Sequence, residues 1–97
     1  MPAVEISPEA REDMLDIWCH IASQNPIAAD RQILRLEAAV VRCAKFPGLG
    51  RPRPELREKI RVLPVDSYLL IYLPMPNGIL ISRILHAARD IDTEFSE

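Results

Sequence analysis

The chain has 97 residues, of which 48% are hydrophobic and 27% are charged, and its formal net charge is −2. This length suits one domain, residues 1–97, with a single core. No apolar run is long enough to cross a bilayer and no secretory signal opens the sequence, so we expect a cytoplasmic protein with no membrane partner. Cys19 and Cys43 then fit free thiols, and we expect neither a metal nor a cofactor.

The charges are unevenly distributed along the chain. Residues 42–61 hold seven bases and two acids, whereas residues 1–41 hold seven acids and three bases, and residues 62–97 hold five acids and two bases. The chain therefore has a local positive patch without being a basic protein. Domains that bind nucleic acid usually have a basic balance overall, so the composition counts against direct nucleic-acid binding as the main activity.

The N-terminal part predicts an edge strand followed by a helix. Residues 4–6 alternate apolar and polar, and Ser7, Pro8 and Glu9 then supply a cap, a first-turn proline and an acid for the positive end of the helix dipole. Trp18 is assigned to the contact between helix and sheet, with partner binding as the alternative. The apolar stripe of this helix consists of Ala10, Met14, Ile17, Trp18 and Ile21.

A second helix begins at Asn25-Pro26 and is predicted to run to about Lys45. The short connection predicts an antiparallel helical hairpin over about residues 8–45. Its main apolar stripe consists of Ala29, Ile33, Leu36, Val40 and Cys43, and Leu34, Ala38 and Val41 widen it. This helix has more apolar surface than one sheet face needs, so either the first helix or another chain covers the excess.

Residues 46–58 are predicted to be a connector, in which the dense prolines and glycines of residues 46–54 forbid regular structure and residues 55–58 form a short turn. Strands are expected at residues 59–65 and 68–73, joined by a tight turn at Asp66-Ser67, and a hairpin loop at residues 74–78 in which Asn77-Gly78 adopts positive φ angles. With a last strand at residues 79–86, the sheet occupies residues 59–86, and residues 87–97 form a short acidic tail. The order β-α-α-β-β-β predicts an α+β fold, an N-terminal strand and a helical hairpin followed by a three-stranded antiparallel meander.

The last strand is predicted to lie inside the sheet, since aliphatic residues occupy both of its faces. Strict alternation places Ile79, Ile81, Arg83 and Leu85 on one face and the intervening residues on the other. Arg83 interrupts this apolar strand, and a cation there requires a partner or a wet groove. Arg89 and Asp90, which follow directly, are candidates for part of that pairing.

An ordered set of short motifs resembles the RelE/ParE superfamily of bacterial toxins, the toxin halves of type II toxin–antitoxin modules. The ending at residues 83–90 is most similar to the ParE branch. The resemblance covers roughly Val4 to Ile91 and is carried by Ser7-Pro8-Glu9-Ala10, Asp16-Ile17-Trp18, Phe46-Pro47, Gly50-Arg51, Glu55-Leu56, Arg61-Val62-Leu63, Tyr68-Leu69-Leu70-Ile71-Tyr72 and Arg83-Ile84-Leu85-His86-Ala87-Ala88-Arg89-Asp90.

The resemblance implies a toxin that poisons DNA gyrase without being a nuclease and that forms a hetero-oligomer with a ParD-like antitoxin. Such an antitoxin lays an amphipathic segment along the helical hairpin and the sheet. The expected target-binding residues are Arg61, Arg83 and Arg89. The expected antitoxin-binding residues are Leu34, Ala38, Val41 and Trp18.

The RelE branch provides an enzymatic alternative, because its members cut messenger RNA in the ribosome. That reaction needs a group to activate the 2′-hydroxyl, a cation on the phosphate and an acid for the leaving oxygen. Arg61, Arg83 and His86 would form this site, with Glu58 or Lys59, if the strands of the two arginines are neighbours. The purely structural interpretation is that both arginines form ion pairs that stabilise the fold, with Glu58, Asp66 or Asp90, and that His86 forms a hydrogen bond with the backbone. A toxin-fold remnant that only binds an antitoxin is a third possibility.

Overall fold

The computed structural model describes residues 2–88, which form two helices and one five-stranded sheet. The strand order is β1-β5-β4-β3-β2; β1 runs parallel to β5, and all other neighbours are antiparallel. The predicted α+β class is confirmed. The elements are β1 (Ala3–Ile6), α1 (Pro8–Ala22), α2 (Pro26–Lys45), β2 (Arg51–Pro52), β3 (Arg61–Val65), β4 (Tyr68–Met75) and β5 (Gly78–His86).

Both helices begin at the caps that the sequence predicts. The Ser7 hydroxyl accepts a hydrogen bond from the Ala10 amide at 2.9 Å, and the Asn25 side chain accepts one from the Ala28 amide at 3.1 Å. A proline follows each cap, where its missing N–H is harmless. Within residues 2–88, neither helix is long and apolar enough to cross a membrane.

The sheet is covered on both faces. The helical hairpin packs on one face, where Leu36, Leu70 and Ile81 are fully buried. On the other face Ile71 and Leu85 form a smaller cluster, against which Leu56 from the loop before β3 packs. Strand β5, between β1 and β4, is therefore interior and apolar on both sides, as its sequence predicts.

A bulge in β5 breaks the strict alternation that the sequence predicts for this strand. Tyr72 pairs with Ile81, but Ile71 pairs with Arg83, so Ser82 has no residue opposite it. One extra residue shifts the side-chain pattern that follows. As a result Ile84 lies on the helix-covered face with Ile81, whereas Leu85 lies on the opposite face, so Ile81 and Leu85 do not share a face as strict alternation would require.

The connector predicted at residues 46–58 contains the short strand β2, which corrects the expectation that it has no regular structure. Arg51 pairs with Val62, and the Arg53 amide donates to the Ile60 carbonyl at 3.0 Å. The prolines do not prevent this pairing, because Pro52 and Pro54 alternate with these arginines and place their missing N–H on the open side of the edge.

The next strand also begins later than predicted, at Arg61 instead of Lys59. Lys59 has a φ of 65°, a left-handed conformation that cannot continue a strand. The predicted turn at Asp66-Ser67 is confirmed, and Asp66 has a φ of 55° there, which aspartate tolerates better than most residues.

The hairpin between β4 and β5 does not use the positive φ angles expected for Asn77-Gly78. Within residues 2–88 only Lys59 and Asp66 have a positive φ. Gly78 is needed for a different reason: a Cβ atom at this position would lie 1.8 Å from the Ala3 carbonyl oxygen. The backbone of β1 therefore approaches β5 at a point that only glycine leaves open.

We predict that Gly78→Ala disrupts the pairing of β1 with β5, because the methyl group would overlap backbone atoms that have no room to move. The expected loss is about 2–3 kcal/mol in the free energy of unfolding, measured by urea denaturation. Gly48→Ala is the matched control, since nothing lies within 4 Å of a Cβ there. Equal denaturation midpoints for the two variants would contradict the close approach.

Candidate functional site

One side of α2 carries an unburied apolar line, the α2 stripe, defined as Ile27, Leu34, Ala38 and Val41. Ile27 and Leu34 are about two-thirds exposed and Val41 about half exposed, and Ala38 is exposed as well. Their spacings of seven, four and three residues place them on one face of the helix, away from the buried stripe that includes Leu36. Apolar side chains aligned in this way form a surface suited to a partner helix or strand.

An open groove of about 410 Å³ lies beside the α2 stripe, between α2 and the end of β3. Arg35 and Gln32 both bind the Asp66 carboxylate, at 2.9 and 3.0 Å, and so tie α2 to the β3–β4 turn. We name this cavity the α2–β3 groove. Its lining residues are Arg35, Ala38, Arg42, Pro64, Val65 and Asp66.

Trp18 does not anchor the core, which corrects its assignment to the helix–sheet contact. Its side chain is 38% exposed, and its indole N–H donates to the Asp30 carboxylate on α2 at 2.8 Å. The buried positions of α1 are Ala10 and Ile17, so Trp18 lies at the margin of the buried stripe and bridges the two helices on their outer side. Its predicted contact with an antitoxin is sterically open.

Arg61 and Tyr72 together hold the loop between α2 and β2. The Arg61 guanidinium donates to the Gly50 carbonyl at 2.6 Å and to the Gly48 carbonyl at 3.3 Å. The Tyr72 hydroxyl donates to the Pro47 carbonyl and accepts from the Gly50 amide, both at 2.7 Å. A Cβ on Gly50 would lie 2.7 Å from the Tyr72 ring, so the loop can close over the ring only with glycine there.

Arg83 forms a two-pronged ion pair with Asp13 of α1. Its Nε and one terminal nitrogen donate to the two carboxylate oxygens at 2.8 and 2.9 Å, and the Ile84 amide donates to the same carboxylate at 3.0 Å. The two side chains are only 22% and 12% exposed. Loss of Asp13 would leave a partly buried cation without this partner, at a cost of about 2–3 kcal/mol.

His86 lies at the end of β5 beside Tyr68. The two rings meet edge to face at a centroid distance of 5.5 Å, and the His86 Nδ1 accepts a hydrogen bond from the Ala88 amide at 3.3 Å. This hydrogen bond with the backbone is the one that the purely structural interpretation of His86 predicts at the end of a strand.

The structure places Arg61 two strands away from the other two residues of the nuclease alternative, Arg83 and His86, which share strand β5. Strand β4 lies between β3 and β5, so Arg61 is two strand spacings, about 10 Å, from β5. Through Tyr72, Arg61 lies level with Ile81, and His86 is five residues, about 16 Å, further along β5. The condition that the strands of the two arginines are neighbours is not met. Arg89 and Asp90 lie outside the described residues.

In the described part of the chain, two titratable groups inside the core, Cys43 and Tyr72, have shifted pKa values. Burial raises the pKa of the Cys43 thiol, and burial also raises the pKa of the Tyr72 hydroxyl, although its bond from the Gly50 amide acts in the opposite direction. Both groups therefore stay protonated at neutral pH and serve the core. Within residues 2–88, no three His, Cys, Asp or Glu side chains are placed to hold a metal ion.

Sequence reasoning missed two residues that shape these surfaces. Ile27 extends the α2 stripe, and its spacing of seven residues from Leu34 already indicates in the sequence that both lie on one face of the helix. Asp13 carried no such signal, because its partner Arg83 is 70 residues away and only the packing of α1 on β5 brings the two together.

The fold and surfaces described above are those of a small α+β toxin of the RelE/ParE type. Residues 4–91 match the family of the ParE toxin of the type II toxin-antitoxin system, parDE. The chain therefore belongs to the ParE toxin family, and it is the toxin of a type II toxin–antitoxin system; its resemblance to the RelE/ParE superfamily is confirmed.

Curated relatives are toxins of the same kind, and a solved structure shares the fold. Toxin RelE3 of Caulobacter vibrioides is 31% identical over 88 residues, which cover 90% of this chain and 96% of the relative. Toxin RelE2 of the same bacterium is 37% identical over 81 residues, covering 82% and 89%. The fold is similar to that of a structure described as the chromosomal ParDE TA system from P. aeruginosa, with a TM-score of 0.76 and 19% identity over 89% of this chain and 96% of that one.

We predict that Tyr72→Phe destabilises the protein by about 2–4 kcal/mol, because the Gly50 amide and the Pro47 carbonyl both lose their partner. The pKa of the Tyr72 hydroxyl is higher in the folded protein than in the unfolded chain, where it is about 10. The stability that this difference contributes is complete below about pH 10 and is lost as the pH rises through the folded-state pKa. The wild type should therefore lose stability above about pH 10, and the variant should lose less over the same range.

The measurement is the urea midpoint at pH 8 and pH 10.5. Tyr68→Phe is the stability control, since the structure shows no hydrogen bond from the Tyr68 hydroxyl within residues 2–88. A Tyr72→Phe protein as stable as the wild type would refute the anchoring role of the hydroxyl.

Proposed function

We propose that this toxin acts by binding DNA gyrase and trapping its cleavage complexes, and that a ParD-like antitoxin neutralises it in a toxin–antitoxin hetero-oligomer. The observation that supports a binding mechanism over an enzymatic one is the separation of Arg61 from Arg83 and His86. RNA cleavage needs a base, a cation and an acid within reach of one phosphate. Here Arg61 on β3 is bound to loop carbonyls and Arg83 on β5 is bound to Asp13. His86 ends β5, about 16 Å along that strand from the level of Arg61.

The α2 stripe and the α2–β3 groove are the surface proposed for the antitoxin. An amphipathic segment placed there would bury Leu34, Val41 and Ala38 in contact with its own apolar side chains. Trp18 is close enough to the same outer side of the hairpin to extend the contact. The charged residues of the groove, Arg35, Arg42 and Asp66, would then form the polar rim that surrounds such interfaces.

The RelE-type endoribonuclease remains the second candidate, because two of the relatives carry the name RelE. It would require Arg61, Arg83 and His86 to act on one substrate, or to be brought together when the ribosome binds. In the gyrase-binding proposal, Arg61, Arg83 and Arg89 are the residues that contact gyrase.

We predict that the purified toxin increases gyrase-dependent DNA cleavage, seen as linear plasmid after detergent treatment, and that His86→Gln has the same effect within about twofold. His86 is not among the residues proposed to bind the target, and binding requires no acid or base, so its loss should not matter for a binding mechanism. Ribosome-dependent cleavage of messenger RNA is measured in parallel. RNA cleavage that disappears in His86→Gln, without any trapped DNA breaks, would establish the enzymatic candidate instead.

We predict that Leu34→Glu and Val41→Glu each weaken antitoxin binding about 100-fold, because a carboxylate would be buried in an apolar contact. Binding is measured by calorimetry with the antitoxin from the neighbouring reading frame. Met75→Glu is the control, since Met75 is 42% exposed but lies on the β4–β5 hairpin. Unchanged affinity in both α2 variants, with native circular dichroism, would move the antitoxin to another surface.

A further inference from the structure

The edge of the sheet formed by β2 is strongly basic. Residues 51–61 carry five cations and two carboxylates, whereas the rest of the chain carries seven bases and twelve acids. A positive region on an acidic protein marks a surface with its own electrostatic partner. We name the five cations the basic edge: Arg51, Arg53, Arg57, Lys59 and Arg61.

The fold places four of these cations on the two sides of the same edge. Arg51 and Arg53 line an open cavity of about 340 Å³ together with Leu49 and Leu69. Lys59 and Arg61 line another of about 320 Å³ whose other walls are prolines 52, 54 and 74 and Ile60. The arginines of the first cavity alternate along the chain with prolines 52 and 54 of the second, and alternating residues of extended backbone face opposite ways, so the edge presents positive charge in both directions.

Little of this charge is neutralised. Arg53 pairs with Glu55, and its hydrogen bond lowers the pKa of that carboxyl. Arg61 donates to the carbonyls of Gly48 and Gly50, which are neutral acceptors, so its charge remains. Within residues 2–88 the structure shows no ion pair for Arg51, Arg57 or Lys59, and all three are exposed.

The backbone of this edge does not suit an added protein strand. The Arg53 amide points inward to the Ile60 carbonyl, and the alternating residues Pro52 and Pro54 have no N–H to offer on the outer side. A partner at this edge is therefore recognised through the arginine and lysine side chains, and guanidinium and ammonium groups bind phosphate well.

We propose that the basic edge binds the phosphate backbone of duplex DNA, without sequence preference, as a contact that accompanies toxin binding to the gyrase–DNA cleavage complex. This inference rests on the proposed function, because gyrase supplies the DNA. The contact is secondary and local, which is compatible with the acidic balance of the whole chain. Phosphate contacts of this kind depend on charge and spacing and need no base-reading side chain.

The test measures fluorescence anisotropy of a labelled 25-base-pair duplex with the purified toxin, without gyrase, between 50 and 200 mM salt. The four cations of the edge that have no carboxylate partner in the described residues, all except Arg53, would make four phosphate contacts. Four such contacts predict that affinity falls about 100-fold over this range. Arg57→Gln/Lys59→Asn removes two cations and keeps a residue that tolerates the left-handed conformation at position 59. It should lower the slope of log affinity against log salt by about 2. Arg11→Gln/Arg31→Gln is the matched control and should leave the slope unchanged.

Each outcome decides the inference separately from the choice of target. Salt-dependent binding that weakens in the edge variant alone supports the DNA contact, even if the toxin traps no gyrase breaks, in which case the proposed target, and with it the place of the contact in a gyrase complex, is wrong. Absence of binding at 50 mM salt, or equal weakening in both variants, overturns it. Normal DNA binding by the edge variant, combined with weaker binding to the antitoxin, also overturns it and assigns the edge to an acidic protein surface.

Discussion

The Asp13–Arg83 ion pair is the contact on which the arrangement of this protein depends. Arg83 lies inside an apolar strand, where an unpaired cation is costly. Asp13 of α1 pairs with this cation. Its carboxylate also accepts a hydrogen bond from the Ile84 amide, which lies beyond the last residue of β5 that pairs with β1, so it covers an edge of β5 that would otherwise be open. The ion pair thus fixes α1 on β5, and the orientation of α1 fixes which side of the helical hairpin faces outward.

Once the hairpin is fixed, the protein has two separate exposed surfaces with different chemistry. The α2 stripe is apolar and linear, whereas the basic edge is charged and lies at β2, the loop that follows it and the first residue of β3. A partner that buries aliphatic side chains and a partner that carries phosphate can therefore be bound without competing for the same residues. This separation is compatible with a toxin that works through binding and is controlled by another protein.

Much of the fold followed from local signals, because caps, turns and apolar periodicity act within a few residues. The caps at Ser7 and Asn25 and the turn at Asp66 were predictable for this reason. The errors occurred where a distant backbone decided the outcome. Gly78 was assigned to a turn, but the approach of Ala3 requires it, and the β5 bulge is visible only in the register with β4.

The sequence by itself determined the α+β class, the family and the presence of surplus apolar surface on α2, since these depend on the order and composition of local segments. Only the tertiary structure decided which polar residues meet. Arg61, Arg83 and His86 are compatible with one site in the sequence, but the insertion of β4 between β3 and β5 keeps Arg61 away from the other two. Strand order is set by packing across the whole sheet, and no local pattern encodes it.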